Sequence, residues 1–172
     1  MINRLMLPFI ILLVRFPQAL GRRFQNFRWK HTLKHFGDGA QILPSTIIYN
    51  PEAVSLGNNA VIGDFVHIWG GGGVSIGDDS MIGATTVITS QSHDARAVSK
   101  GKLYRETHSR APVNIGKNVF LGSNVTVLPG ITVGDNAIIG AGAVLTKDVP
   151  DNAIVMGVPA KIVGSITDYE RE

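Results

Sequence analysis

The sequence predicts an all-β fold, a parallel β-helix, preceded by a basic amphipathic helix. Three observations predict it: aliphatic residues recur every six positions, glycine accounts for 20 of 172 residues, and cations are concentrated near the N-terminus. A period of six matches neither an α-helix, which repeats about every 3.6 residues, nor a single strand, which alternates about every two. It matches a short strand followed by a tight corner, and three such units make one triangular coil.

The aliphatic repeat predicts the core. We expect its twelve residues to point into the prism and to stack on their counterparts one coil away, and glycine directly follows eight of the twelve. We expect these glycines at the corners, because glycine and asparagine tolerate positive φ. An ordinary β-sandwich is disfavoured because so many aliphatic residues keep one register. The twelve are Leu56, Ile62, Ile68, Ile76, Ile82, Ile88, Ile115, Leu121, Val127, Val133, Ile139 and Leu145.

The register slips twice. Between Ile68 and Ile76 the step contains the run Gly70–Gly73, which predicts a bulge at a corner. Between Ile88 and Ile115 lies the polar segment 94–112, which predicts a loop extruded from the prism. Loops held on a rigid scaffold are where functional residues are concentrated, so this loop is the first place to look for a site.

The N-terminal arm differs in charge from the rest of the chain. Residues 1–36 contain seven Lys or Arg and no acidic residue, and Leu20, Phe24 and Phe27 recur at helical spacing, as do Trp29, Leu33 and Phe36. The apolar run Leu5–Val14 is too short to span a bilayer, which needs about 20 residues, and no clear signal-peptide cleavage site follows it. The helix therefore packs on the body or lies on an anionic membrane, and both alternatives stay open.

Two domains are expected: the arm over residues 1–39, and the β-helix over residues 40–172 with the loop 94–112. The end, Thr146–Glu172, contains Pro150 and Pro159, which break the repeat, and is expected to close the open end of the prism or to fray. We expect a cytoplasmic protein, with peripheral contact to the inner face of the membrane if the arm binds lipid. No base-reading module accompanies the basic arm, so nucleic acid is not an expected partner.

The absence of cysteine excludes disulfides, thiolate metal sites and a cysteine nucleophile. There is also no Gly-x-Ser-x-Gly elbow. Gly70–Gly73 lacks the Lys of a P-loop, and Gly140-Ala141-Gly142 lacks the spacing of a dinucleotide site.

The C-terminal half carries a family resemblance. The strings NVTVLPGITVGDNAIIGAGAVLTKDVP and GVPAKI are similar to those of the galactoside, maltose and nodulation acetyltransferases and of related polysaccharide O-acetyltransferases. The resemblance covers about residues 50–165. It implies a left-handed parallel β-helix, a homotrimer with active sites between neighbouring prisms, acetyl-CoA as acyl donor, no metal, and a sugar or a polysaccharide- or lipid-linked saccharide as acceptor.

Acetyl transfer to a hydroxyl needs a base for the hydroxyl proton and a donor for the oxyanion. Without a cysteine or serine nucleophile, direct transfer from thioester to acceptor is the economical reaction. Two of the five histidines, His31 and His35, lie in the arm, where we expect them to face water or lipid headgroups. Among His67, His93 and His108, the resemblance identifies His93 as the catalytic base. Relatives often have Pro at the position of Asp94, which leaves open an assist from Asp94 to His93.

The resemblance also implies residues for both substrates. It assigns the acyl donor to Ser123, Ala141, Thr146, Lys147 and Lys161. Lys161 stands where relatives often have Arg, and Phe120 where they often have Trp. For the acceptor wall we hypothesise His67, Trp69 and Tyr104, of which Trp69 has a ring that can stack on a sugar face.

Three alternatives remain. N-acetylation of an amino sugar uses the same fold and donor. A zinc hydratase of the γ-carbonic-anhydrase kind needs three histidines around the metal, for which His67, His93 and His108 are available. A non-catalytic β-helix needs neither His93 nor the lysines. For the homotrimer, we expect outward-facing aliphatic residues that a single prism leaves poorly covered, namely Val119, Val127 and Ile138.

Overall fold

A computed structural model describes residues 26–171. Three parallel sheets form the sides of a triangular prism, and each coil passes from sheet A to sheet B to sheet C. The predicted parallel β-helix is therefore confirmed. Sheet A contains β1 (His35–Phe36), β4 (Val54–Leu56), β7 (Val74–Ile76), β12 (Val113–Ile115) and β15 (Thr132–Val133). Sheet B contains β2 (Gln41–Ile42), β5 (Val61–Ile62), β8 (Met81–Ile82), β13 (Phe120–Leu121), β16 (Ile138–Ile139), β18 (Ala153–Met156) and β19 (Lys161–Ser165), and sheet C contains β3 (Ile47–Tyr49), β6 (His67–Trp69), β9 (Val87–Thr89), β14 (Thr126–Val127) and β17 (Val144–Leu145).

The interior of the prism is filled by the repeat. None of the twelve predicted core residues is more than 3% exposed. Except at the two register slips, the residue four positions after each aliphatic is also buried, because the chain turns at a corner between the two. Val119 and Val127, also expected on the outside, are 1% and 0% exposed, so that prediction is wrong for both, and the place that the repeat gives Val127 in the core is right. Ile138 is half-buried on the outer face of sheet B, as expected.

The glycines that follow the aliphatic residues have a different role from the one predicted. None of the eight has positive φ; the left-handed backbone lies two residues later, as at Asn59 (φ 56°), Asn118 (φ 52°) and Asn124 (φ 59°). Glycine is needed because successive coils touch there. A Cβ on Gly83 would lie 2.6 Å from the backbone carbon of Gly122, closer than any real Cβ approaches. The corners thus need glycine for close approach, while the left-handed position is held by asparagine at four corners and by Phe65, Asp79 and Thr85 at three others.

At the corner between sheets A and B, polar side chains connect the coils. The Asn58 side-chain oxygen accepts from the Asp38 N–H at 2.9 Å, and the Asp78 carboxylate accepts from the Asn58 N–H at 2.8 Å. The Lys117 ammonium lies 3.3 Å from the other Asp78 oxygen. The Asn58 N–H, and after it the Lys117 side chain, hold the pKa of Asp78 below its ordinary value. The carboxylate is therefore ionised at neutral pH and joins two coils.

The N-terminal end of the prism is covered by helix α1, whose described residues are 26–32. Trp29 and Leu33 are 3% and 8% exposed and belong to the same core as the first coil, whereas Phe27 is 63% exposed. His31 and His35 are exposed, as expected. Of the two alternatives for the arm, packing against the body is therefore what Trp29 and Leu33 show. Leu20, Phe24 and the other arm residues up to 25 lie outside the described residues, and membrane binding by the arm stays a prediction.

Within residues 26–171, no helix is long and apolar enough to cross a membrane.

At the C-terminal end, Val149, Ala153 and Val155 are buried and complete the last coil. Strands β18 and β19 then form an antiparallel hairpin at the edge of sheet B. A 3-10 turn over Ile166–Arg171 follows.

Both register slips fall at the corner between sheets C and A. The extruded loop leaves after β9 and carries β10 (Gln91–Ser92), helix α2 (Ala95–Val98), a 3-10 turn (Tyr104–Glu106) and β11 (Ser109–Arg110), which pairs antiparallel with β10. One coil earlier, the Gly72 N–H donates to the Ser90 hydroxyl, which donates to the Trp69 carbonyl. A side chain on Gly71 would meet the Gln91 amide. The glycine run therefore makes room for the base of the loop.

The close contact between coils predicts the effect of adding one methyl group. Gly83→Ala should lower the free energy of unfolding by about 1–3 kcal/mol, the usual cost of overpacking, because the new Cβ meets backbone that cannot move away. Gly164→Ala is the matched control, since its Cβ would lie 3.7 Å from the nearest atom. Urea denaturation at one fixed protein concentration measures both variants. Equal stability for the two would show that the coils accept a side chain at this corner.

Candidate active site

The two-stranded ribbon formed by β10 and β11 holds the predicted base. Gln91 lies opposite Arg110 and Ser92 opposite Ser109. The same register continued by one residue places His93 opposite His108, and the centroids of their rings are 5.7 Å apart. Directly opposite residues in an antiparallel pair point to the same face, so the two imidazoles share one side of the ribbon.

The orientation of His93 is set by one hydrogen bond. Its Nδ1 lies 2.7 Å from the Thr107 carbonyl oxygen. A carbonyl can only accept, so Nδ1 carries a hydrogen and donates it, and in the neutral ring Nε2 keeps its lone pair. The Tyr104 ring stands nearly perpendicular to the His93 ring, with centroids 6.3 Å apart. His93 is thus presented with a free basic nitrogen.

Sequence reasoning missed Thr107, which is the only buried residue in the segment 94–112, at 4% exposure. Its hydroxyl donates to the Tyr104 carbonyl at 2.9 Å and accepts from the Asp94 N–H at 3.2 Å. One side chain thus ties the start of the loop to its return. The Asp94 carboxylate accepts from the Arg96 N–H at 2.8 Å and caps helix α2. The Nδ1 of His93 is bonded to the Thr107 carbonyl and not to Asp94.

A cavity of about 480 Å³ opens beside His93. Its walls are formed by Trp69, Thr89, Gln91, Ser92, His93 and His108. Trp69 also stacks on Tyr49, with ring centroids 4.2 Å apart and an interplanar angle of 25°.

Of the three residues hypothesised for the acceptor wall, Trp69 lines this cavity and Tyr104 lies beside His93. His67 lies on the same strand as Trp69, two residues earlier, and is outside the cavity. The three histidines that a zinc hydratase would need are therefore not gathered in one place. Among the residues that the structure describes, no group of three or more His, Cys, Asp or Glu is placed to hold a metal ion.

A second cavity, of about 340 Å³, lies near the C-terminal end of the prism. It is lined by three of the predicted donor residues, Thr146, Lys147 and Lys161, together with Pro159 and their neighbours. Both lysines are exposed. In the described part of the chain the only ion pair is Lys117–Asp78, so neither lysine is neutralised by a carboxylate there.

The other two predicted donor residues lie elsewhere. Ser123 and Ala141 occupy the corner between sheets B and C on successive coils, where the Gly142 N–H donates to the Ser123 carbonyl at 2.9 Å. Thr146 and Lys147 follow β17, at the opposite edge of sheet C. Within one chain, Ser123 and Ala141 therefore lie at one edge of sheet C and Thr146 and Lys147 at the other, while Lys161 begins β19 at the end of sheet B, opposite Met156.

Known proteins share both the repeat and the fold. The family described as hexapeptide repeat of succinyl-transferase matches residues 53–90 and 112–147. The WcaF protein of Escherichia coli K12, named as a colanic acid biosynthesis acetyltransferase, is 30% identical over 159 residues, covering 90% of this chain and 81% of the relative. The chain belongs to the hexapeptide-repeat acetyltransferases. Galactoside O-acetyltransferase of Escherichia coli K12 is 31% identical over 137 residues, covering 78% of this chain and 65% of its own length.

The match to galactoside O-acetyltransferase thus covers just under two thirds of that enzyme. Among solved structures, a hexapeptide-repeat acetyltransferase of Vibrio cholerae O1 biovar eltor, complexed with acetyl-CoA, is 25% identical. It superposes with a TM-score of 0.74 over 80% of this chain and 74% of that chain.

The two cavities of this chain each include residues of one column on sheet C. Strand pairing continued by one residue aligns Trp69, Thr89, Leu128 and Thr146 in one column on its outer face. Trp69 and Thr89 line the cavity beside His93, and Thr146 lines the cavity with the two lysines. Two strand spacings, about 10 Å, separate Thr89 from Thr146. An extended ligand on this column can reach from the lysines to His93.

The contacts of Thr107 predict the effect of removing its hydroxyl. Thr107→Val keeps the shape of the side chain but leaves the Asp94 N–H without its partner, and the Tyr104 carbonyl then accepts only from the Thr107 N–H. The opened loop should then be cleaved by trypsin at least about fivefold faster, since losing such a bond costs roughly 1 kcal/mol. Thr107→Ser keeps the hydroxyl and should be cleaved at nearly the wild-type rate. If the Val and Ser variants are cleaved alike, the hydroxyl does not hold the loop.

Proposed function

We propose that this protein transfers an acetyl group from acetyl-CoA to a hydroxyl of a saccharide. The observation that carries the proposal is His93, which lines a cavity with its Nε2 free. The names of its relatives, which include a galactoside O-acetyltransferase and a colanic acid biosynthesis acetyltransferase, support a saccharide acceptor. The column on sheet C, which ends at two unneutralised lysines, supports an anionic and extended donor.

His93 acts as the general base. The acceptor hydroxyl lies in the cavity, and Nε2 takes its proton as the oxygen attacks the thioester carbonyl carbon. The Thr107 carbonyl oxygen, already bonded to the Nδ1–H, stabilises the imidazolium that forms. When the carbon–sulfur bond breaks, the imidazolium returns the proton to the leaving sulfur. His93 is neutral again and ready for another turnover, with no covalent intermediate on the protein.

The donor site fits the chemistry of the residues that form it. The thioester supplies an activated acetyl group, while Lys147 and Lys161 bind the phosphates as cations. The backbone at Ser123 and Ala141 offers groups that pair with the amides of the pantetheine arm. Because Lys147 lies on the opposite edge of sheet C from Ser123 and Ala141, one prism supplies each half of the site to a different neighbour.

We therefore propose a homotrimer in which the edge of sheet C that carries Lys147 in one protomer faces the edge that carries Ser123 in the next. The outer face of sheet B supports it, since Met81 and Phe120 are 52% and 47% exposed and lie side by side with Ile138. Three prisms packed around an axis cover such a face and bring the two edges together.

A charge on this apolar face tests the trimer. Phe120→Glu should give monomers of about 18 kDa by light scattering, because a buried unpaired carboxylate is costly. Ser55→Glu adds the same charge on the outer face of sheet A, whose outward residues are polar, and should leave the assembly intact. A wild-type protein that is monomeric at micromolar concentration would contradict both the assembly and the shared site.

Replacing the base tests the reaction. His93→Ala should lower kcat by about 10²–10⁴-fold, the usual effect of losing a general base, while the KM for acetyl-CoA changes little. His108→Ala is the comparison, since its ring lies in the same cavity without the bond to Thr107, and it should lose much less. Release of CoA thiol against a panel of saccharides measures both. Near-normal turnover by His93→Ala would show that another group takes the proton.

A further inference from the structure

Four side chains share one face of the ribbon that carries His93. Alternate residues of a strand point to the same side, as do residues directly opposite each other, so Gln91, His93, His108 and Arg110 form the corners of one patch. Three of these four, all except Arg110, line the cavity beside the catalytic base. Arg110 is therefore the fourth corner, about two residues or 7 Å along the ribbon from His108.

Arg110 is available to a ligand. It is exposed, and in the described part of the chain no carboxylate pairs with it, because the single ion pair there is Lys117–Asp78. The Gln91 amide opposite it packs toward Gly71, on the base of the loop. The Arg110 guanidinium lies two residues from His108, whose ring lines the cavity. It offers planar, paired donors that match a carboxylate or a phosphate.

The charges of the chain point to the same place. Residues 37–93 contain five acidic residues and no Lys or Arg, and residues 113–168 contain three cations and four acidic residues. The loop between them, residues 94–112, contains five cations and two acidic residues. Residues 37–168 thus carry five of their eight cations on the loop that contributes His108 to the acceptor cavity. Such a local positive potential attracts anions and raises their concentration at the site.

We propose that the acceptor is an anionic saccharide and that Arg110 binds its carboxylate or phosphate, on the sugar that is acetylated or on the next one. The proposal rests on the proposed function, because it takes the cavity beside His93 as the acceptor site. A neutral sugar would gain nothing from an unpaired cation at this corner. A sugar acid or a sugar phosphate forms a charge-assisted, bidentate hydrogen bond there, while its hydroxyl lies within reach of His93.

Matched acceptors and matched variants test it. The acceptors are glucose, glucuronate and glucose 1-phosphate, with the galactose series in parallel, so that a carboxylate and a phosphate are compared on one ring. Wild-type protein should show a higher kcat/KM for at least one anionic form than for the neutral sugar, and the preference should weaken with salt. Arg110→Gln should lower the ratio of anionic to neutral kcat/KM about tenfold or more.

Arg96→Gln is the control, because it removes the same charge from the same loop at a position on helix α2 instead of on the ribbon face. It should keep the ratio within about twofold, as expected for a distant charge screened by water. Equal kcat/KM for neutral and anionic sugars in the wild type would overturn the proposal. An equal loss of the anionic-to-neutral kcat/KM ratio in both variants would also overturn it. The same holds if the main effect of Arg110→Gln is a raised KM for acetyl-CoA.

If none of the sugars is acetylated, the proposed function fails, and binding decides the role of Arg110 separately. An NMR titration of the His108 ring with glucuronate and with glucose 1-phosphate should then show saturable shifts in Arg96→Gln that are absent in Arg110→Gln. Shifts of equal size in the two variants, or no shifts in either, would reject an anion site at Arg110.

Discussion

The distance between successive coils is the constraint on which the rest of this structure depends. Backbone hydrogen bonds such as that from the Gly83 N–H to the Leu121 carbonyl, at 2.8 Å, fix this distance at every corner. At that spacing a corner residue such as Gly83 has no room for a Cβ, and the aliphatic residues of the repeat stack inside without gaps. Sequence period, glycine content and core are three consequences of the same spacing.

A rigid prism allows the chain to build its candidate site outside the repeat. The corner between sheets C and A has room because Gly71 and Gly72 carry no side chains where Ser90 and Gln91 pass. The loop that leaves there is polar, yet it is ordered by one buried hydroxyl, that of Thr107. His93, the proposed base, is thus oriented by the interior of its own loop and not by the core of the prism.

The sequence predicted those features that repeat and missed those that occur once. The inward aliphatic residues and the extruded loop follow from a period of six and its interruption. The role of the glycines differs from the predicted one because close approach between coils cannot be read from local backbone preference. Thr107 and Arg110 gave no signal, since their roles arise from pairing with residues about fifteen to twenty positions away, which only a fixed register defines.

The ribbon at the base of the loop also limits how the loop can change length. Adding one residue between Gln91 and His93 would reverse the alternation, turn the imidazole toward water and bring a serine into its place. The segment between helix α2 and the 3-10 turn is less restricted, because its residues are exposed and a Cβ on Gly101 would meet nothing within 4 Å. Variation in chain length can accumulate at this tip and reshape the entrance for acceptors of different size, while the catalytic geometry stays fixed.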